Sequence, residues 1–174
     1  MEAVKNLDAA TLENLLARAS VEFSQVKLIE QIIEPLMHQI GDMWQDGSLR
    51  VADEPLASAV VRSFVGSLKS AYRVADSAPC IIFTTPAGQM HEIGALLAAT
   101  TAAAAGWKVT YLGPNLPATE IAGAAQKNAA RAVALSIIHP ADDPHLGPEL
   151  INLRRLLADG VALLAGGHAV SSYR

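Results

Sequence analysis

Hydrophobic positions recur at helical spacing through the first part of the chain, from about Asp8 to Tyr72. The longest apolar face repeats at a period near 3.6 residues and comprises Val26, Ile29, Ile33, Leu36, Met37, Ile40 and Trp44. Pro35 interrupts this face and should kink or divide the helix, because proline lacks a backbone N–H. Asp46–Gly47–Ser48 predicts a turn. The pattern therefore predicts a bundle of about four helices.

Beyond Ala78 the hydrophobic pattern changes to short apolar runs that alternate with helical stretches. The runs predict strands at Cys80–Thr85, Trp107–Leu112, Ala132–Ile138 and Val161–Ala165, with helices at His91–Gly106, Pro117–Asn128 and Glu149–Leu157. Such alternation indicates a parallel sheet covered on both faces. We predict an α/β protein with a helical domain at 1–75, a linker around Val74–Pro79, and a doubly wound, flavodoxin-like (Rossmann-like) domain at 76–174.

The end of the chain carries a further expectation. A doubly wound domain normally finishes with a helix after its last strand, whereas this sequence ends at Arg174, soon after Gly166–Gly167. Either the last helix is lacking or the chain is a fragment of a longer protein.

Composition narrows the class of partner. The net charge of -4 argues against a general affinity for nucleic acid or for an anionic membrane. No apolar run reaches the roughly 20 residues of a membrane span. Cys80 is the single cysteine, which fits a reducing compartment. These features predict a cytoplasmic protein.

The loop after the first predicted strand, Pro86–Glu92, lies where ligands bind in a sheet of this kind. It carries His91, and a neutral imidazole is a good ligand for a transition metal. Gly94 would let a bulky group approach the start of the next helix. On spacing alone, the interpretation of His91 as a polar loop residue that caps or begins a helix is favoured over metal ligation.

Other candidate chemistry is sparse. His139, His145 and His168 follow later strands but lack the spacing of a zinc site. The sequence has no activated nucleophile and no paired carboxylates suited to acid–base catalysis. We therefore expect no catalytic residues and no enzymatic activity from this chain alone.

Three short motifs resemble those of a known cofactor-binding family. The stretch Gly88-Gln89-Met90-His91-Glu92-Ile93-Gly94 resembles the cobalamin-binding motif Asp-x-His-x-x-Gly, with His91 and Gly94 matching. Ser136-Ile137-Ile138 resembles the family's Ser-x-Leu element, and Gly166-Gly167 its closing Gly-Gly. Trp44 and Glu54 resemble the Trp-x9-Glu-His signature of the helical cap in cobalamin-dependent, light-sensing MerR-type transcriptional regulators.

The resemblance implies that adenosylcobalamin or methylcobalamin is bound base-off, with His91 as the lower axial ligand of cobalt. It implies that Ser136 hydrogen-bonds the buried benzimidazole and that Gly166 and Gly167 line the slot for the nucleotide tail, where any side chain would clash. Trp44 and Glu54 would lie over the upper face of the corrin. The remaining cofactor-contacting residues implied by the motifs are Gln89, Met90, Glu92, Ile93, Gly94 and Ile138, with Gly113-Pro114-Asn115 a weaker candidate.

Two positions depart from the family's pattern. Gln89 stands where the family has a carboxylate, so an amide would hold the His91 imidazole with less electrostatic pull; Glu92 is an alternative partner. Pro55 stands where the light-sensing regulators have the histidine that captures cobalt from above. Pro55 puts light sensing in doubt, and His38 is the other cap imidazole to consider.

Three functions follow from these observations. The first is a cobalamin-binding sensor that controls transcription through domain or oligomer rearrangement, touching DNA only through a domain outside this chain or through a protein partner. We expect such a sensor to form a homo-oligomer and not to associate with membranes. The second is a corrinoid carrier of a methyltransferase system. The third is an interaction domain that has lost its cofactor.

Overall fold

A computed structural model describes residues 1–69 and 74–173, with the side chain of residue 69 excluded. The chain divides into two compact units, Met1–Leu68 and Lys69–Arg174. The linker predicted at Val74–Pro79 falls within the second unit. Among the described residues, no helix has both the length and the apolar character needed to cross a membrane.

The first unit is helical, as the apolar periodicity predicts. Its helices are α1 (Glu2–Lys5), α2 (Ala9–Glu22), α3 (Gln25–Leu28), α4 (Glu34–Gln45) and α5 (Asp53–Lys69). Asp8 is the N-cap of helix α2, and its carboxylate accepts the backbone N–H of Thr11 at 3.0 Å. The core of this unit includes Leu28, Ile33, Ile40, Val61 and Val65, all essentially inaccessible to solvent. The predicted helical pattern near Tyr72 lies outside the described residues.

A π-helical turn at Ile29–Ile33 connects α3 to α4 and ends directly before Glu34-Pro35. Pro35 lies in the first turn of α4, directly after the π-turn, where a proline that has no N–H interrupts the regular hydrogen-bond pattern of a continuous helix. The wider turn keeps Ile29 and Ile33 buried. Pro35 therefore divides the long helix without ending it.

The second unit is built on a four-stranded parallel sheet in the order β2-β1-β3-β4. Its elements in chain order are β1 (Cys80–Thr84), α6 (Ile93–Ala104), β2 (Lys108–Tyr111), α7 (Ala118–Lys127), β3 (Ala132–Ser136), α8 (Leu146–Leu156), β4 (Ala162–Gly166) and a 3-10 helix at His168–Tyr173. This order is that of a flavodoxin-like, doubly wound sheet. The predicted fold class is confirmed.

The two faces of the sheet are covered unequally. Helices α7 and α8 pack on one face, where Ile82, Ile121 and Leu153 share a core with Val133 and Leu163. Helix α6 packs on the other face, over Ile81, Phe83 and Ala132. Successive strand side chains point to opposite faces, so Leu164, next to Leu163, lies on the α6 face. Half of the Leu164 side chain is exposed there.

Candidate functional site

The predicted site residues of the second unit gather at the carboxyl edge of the sheet. His91 is exposed on the loop between β1 and α6, and Ser136 and Gly166 end the paired strands β3 and β4 in register with each other. Met90 is exposed to 62%, whereas Ile93 and Ile138 are half-buried. The three motifs that lie apart in the sequence therefore meet at one edge.

Hydrogen bonds to the neighbouring strand end fix the loop that carries His91. The Asn115 side chain accepts the backbone N–H of Gly88 at 2.9 Å, and the Asn115 N–H donates to the hydroxyl of Thr85 at 2.8 Å. The Thr85 hydroxyl in turn donates to the carbonyl of Gln89. Asn115, a weak candidate for ligand contact from sequence, is thus a loop anchor.

Gln89 does not hold the His91 imidazole, so that prediction from the sequence is wrong. The side chain is only 1% exposed, and its amide oxygen accepts the backbone N–H groups of Ile138 at 3.0 Å and His139 at 3.1 Å. Its amide nitrogen donates to the carbonyl of Pro140 at 3.2 Å. An amide oxygen has two lone pairs, and both are used. Gln89 therefore joins the β1–α6 loop to the segment after β3.

Glu92, the alternative partner for His91, is buried at the start of α6. Its carboxylate accepts the hydroxyl of Tyr111, the last residue of β2. This hydrogen bond fastens the first turn of α6 to the sheet.

Gly94 and Ser136 approach each other closely at this edge. A Cβ atom at Gly94 would lie 2.8 Å from the Ser136 hydroxyl oxygen and 3.9 Å from Cδ1 of Ile138. Ser136 is only 6% exposed, and within residues 1–69 and 74–173 its hydroxyl has no hydrogen-bond partner. Its oxygen is not fully enclosed, so water or a ligand can reach it and complete its hydrogen bonding. The absence of a side chain at Gly94 leaves that hydroxyl accessible.

The two glycines at the end of β4 have different reasons to be glycine. A Cβ atom at Gly167, where φ is +106°, would lie 2.3 Å from the carbonyl oxygen of Ile137. A Cβ atom at Gly166 would meet nothing within 4 Å. The protein's own backbone therefore requires glycine at position 167, and the contact of both glycines with the nucleotide tail stays a prediction. Gly166 leaves open space.

Gly94, Ser136, Leu164 and Gly166 form what we call the Ser136 groove. Leu164 pairs with Ala134 and Gly166 with Ser136, so these residues share the α6 face of the sheet. Leu164 was missed by sequence reasoning because a leucine in a strand is ordinarily core. Only the tertiary structure shows that this apolar side chain is 51% exposed on the same face of the sheet as Ser136.

His139 also lies at this edge, against His91. The two ring centroids are 6.0 Å apart and the ring planes are inclined by 75°, an edge-to-face contact. The sequence pointed to His139 only through its place soon after Ser136.

The predicted cap residues lie in the first unit. Trp44, near the end of α4, is 51% exposed although it continues the apolar face that contains the buried Ile40. Gly41, one turn earlier, has open space where a Cβ atom would stand. Glu54, in the first turn of α5, accepts the hydroxyl of Ser58 at 2.6 Å, and the neighbouring Pro55 and the more distant His38 are both exposed.

The donor set suits a flat, partly apolar cofactor with a metal centre. The edge offers an exposed imidazole at His91, a hydroxyl at Ser136 that has no partner among the described residues, a half-exposed leucine at position 164 and open space at Gly166. The fold and this edge define a cofactor-binding domain of the flavodoxin-like class. The chain belongs to the B12 binding domain family: residues 79–174 match that family, and residues 1–69 match a second B12 binding domain. The protein therefore binds cobalamin.

Two curated relatives are transcriptional repressors of Myxococcus xanthus. The chain is 27% identical over its full length to the HTH-type transcriptional repressor CarH, and 34% identical over 104 residues, 60% of the chain, to the HTH-type transcriptional repressor CarA. The matched regions span 58% of CarH and 34% of CarA. Among solved structures, the Methanosarcina barkeri monomethylamine corrinoid protein superposes with a TM-score of 0.68 at 19% identity, covering 97% of this chain and 82% of that one. The last likeness concerns the fold.

Proposed function

We propose that this chain is the effector-binding module of a cobalamin-responsive transcriptional regulator and has no catalytic activity of its own. The observation that carries the proposal is the similarity to the repressor CarH along the whole chain, helical unit included. Since the chain spans 58% of that relative, contact with DNA is assigned to a domain outside this chain or to a protein partner.

In this proposal His91 is the lower axial ligand of cobalt, and the cofactor's own base is displaced into the Ser136 groove. Three observations support this arrangement: the exposed imidazole, the unpartnered Ser136 hydroxyl, and the open space at Gly166. When bound, the cofactor supplies a cobalt centre whose axial ligands can be exchanged. Ser136 donates a hydrogen bond to a nitrogen of the displaced base, and Leu164 packs against its rings.

The helical unit acts as the cap. Trp44 covers the upper face of the corrin with its exposed ring surface, and Glu54 lies beside it, its carboxylate restrained by Ser58. Cobalamin binding changes how the domains are arranged and how chains associate into a homo-oligomer. That change is the signal to the transcriptional partner.

The first test is binding and ligation. Purified protein is mixed in the dark with adenosylcobalamin or methylcobalamin and desalted, and its visible spectrum is recorded. We expect retained cofactor with a base-off, histidine-ligated spectrum that His91→Ala alters. Loss of both cofactor forms on desalting would contradict the proposal and favour an interaction domain without cofactor.

The second test is assembly. Size-exclusion chromatography with light scattering compares the cofactor-free protein with the loaded protein in the dark. We expect a change in molar mass or hydrodynamic radius on loading, and identical profiles would contradict the regulatory role. Illumination of the adenosylcobalamin form is the separate test of light sensing, and with Pro55 in the cap we expect no histidine capture of cobalt from above.

A corrinoid carrier of a methyltransferase system is the second candidate, since a corrinoid protein shares the fold over 97% of the chain. A carrier must keep its cofactor through reduction and remethylation, with cobalt exposed to methyl donors. Reduction followed by methyl iodide separates the two functions. A carrier regains methylcobalamin over many cycles, whereas we expect the regulator to lose cofactor or to react slowly.

A further inference from the structure

We propose that His139 is the residue that orients the His91 imidazole, the task that a carboxylate two positions before the histidine performs in the family's pattern. The inference rests on the proposed ligation of cobalt by His91. It explains how the His91 ring is oriented in a chain that has glutamine in place of a carboxylate at position 89.

A ligating imidazole has a second ring nitrogen that carries a hydrogen. Metal-bound histidines usually donate this N–H to an acceptor, which fixes the orientation of the ring. The residue that orients His91 must therefore offer a free lone pair close to the ring. Gln89 fails this requirement because both lone pairs of its amide oxygen accept backbone N–H groups, from Ile138 and His139.

His139 meets the requirement. Its ring lies edge-on against the ring of His91, with 6.0 Å between the centroids, and a neutral imidazole has one acceptor nitrogen. A change in side-chain torsion that turns the rings and brings them closer would convert this edge contact into a hydrogen bond from His91 to His139, in which the two nitrogens are about 2.7–3.2 Å apart. Both rings are exposed, so such a rotation requires no repacking of the core.

Gln89 acts one step further away. Its buried amide holds the backbone of His139 and of the following Pro140, at 3.1 Å and 3.2 Å. The residue at the position of the family's carboxylate thus fixes the segment from which the His139 side chain reaches His91. Gln89 therefore orients the His91 imidazole indirectly, because it fixes the backbone that carries the His139 ring.

The experiment uses the full chain labelled with ¹⁵N and loaded with unlabelled cobalamin reduced to cobalt(II). In the electron paramagnetic resonance spectrum, an axial ¹⁵N from the protein splits each cobalt line into a doublet. The cofactor's own ¹⁴N base gives a triplet. We compare the wild type with His91→Ala, His139→Phe and His139→Gln, and with His145→Phe as the matched control. His145 is an exposed histidine of the same unit, outside the proposed site.

We expect the wild type and His145→Phe to give the doublet and His91→Ala to lose it. His139→Phe keeps a ring of similar size without an acceptor, so its doublet should fall by at least half while far-UV circular dichroism is unchanged. His139→Gln offers a carbonyl acceptor and should recover most of the doublet.

A wild-type doublet in His139→Phe would overturn the inference, and so would its loss in both His139 variants with intact dichroism. These outcomes leave the proposed function standing as long as His91→Ala loses the doublet. A doublet that survives in His91→Ala would overturn the ligation by His91 itself.

Discussion

The hydroxyl oxygen of Ser136 lies 2.8 Å from the point that a Cβ atom at Gly94 would occupy. Because Gly94 has no Cβ atom, this point is empty. The Ser136 hydroxyl can therefore be reached between the first turn of α6 and the end of β3. Position 94 therefore controls whether Ser136 can receive a ligand.

Gly94→Ala should weaken cobalamin binding about tenfold, or about 1.4 kcal/mol, because the methyl group displaces the Ser136 hydroxyl. Titration of the protein with hydroxocobalamin, followed by visible absorption, measures the effect. The control is Gly123→Ala, at an exposed position of α7 where a Cβ atom meets nothing within 4 Å. Equal affinities for the two variants would contradict the role of Gly94.

Gly166→Ala and Gly167→Ala should separate binding from stability. At Gly167 the positive φ and the 2.3 Å approach to the Ile137 carbonyl should lower the free energy of unfolding by about 2–4 kcal/mol. At Gly166 the open space tolerates a methyl group in the cofactor-free protein, so the loss should appear in cobalamin affinity. Urea unfolding and cofactor titration of both variants test this, and the reverse assignment would refute it.

Leu164→Asn should reduce cobalamin affinity by about 1–2 kcal/mol, since it removes an apolar contact with the displaced base. The cofactor-free protein should lose little stability because half of this side chain is already exposed. Leu156→Asn is the matched control, a leucine on α8 with 48% exposure. If Leu164→Asn binds as the wild type does, the base does not occupy the Ser136 groove.

Gln89→Leu should lower the free energy of unfolding by about 2–4 kcal/mol, because two backbone N–H groups and one carbonyl lose their partner in a buried place. Urea denaturation measures the change. Gln126→Leu, at an exposed position of α7, should stay within about 0.5 kcal/mol of the wild type. If Gln89→Leu leaves the free energy of unfolding unchanged, water replaces the amide as hydrogen-bond partner and the prediction is wrong.

Asp8→Ala should destabilise the helical unit in a pH-dependent manner. Hydrogen bonds from the side chain and backbone of Thr11 hold the pKa of Asp8 below the ordinary 3.8. A lowered folded-state pKa contributes stability that is complete above 3.8 and is lost as the pH falls through the folded value. The difference between wild type and Asp8→Ala in urea unfolding should therefore shrink below that pH. If the difference in the free energy of unfolding grows as the pH falls, the role of Asp8 as the N-cap of α2 is contradicted.

The family, the fold class and the position of most candidate site residues at one edge of the sheet could be predicted from sequence, because their signals are local. Alternation of apolar runs fixes the order of strands and helices, and the motif around His91 follows directly from the end of β1. Ser136 and Gly166 end their strands, so a parallel sheet necessarily brings them to one edge. The cap residues Trp44 and Glu54 were recognised by their spacing, and their contact with cofactor remains a prediction.

Only the tertiary structure decided how these local pieces contact one another. The backbone partners of the Gln89 amide lie 49 to 51 positions further along the chain, and no local pattern specifies a hydrogen bond across that separation. The same holds for the edge contact of His91 with His139 and for the exposure of Leu164, which depends on where α6 lies on the sheet. Sequence periodicity determines which face a residue occupies, whereas the packing of separate elements determines what covers that face.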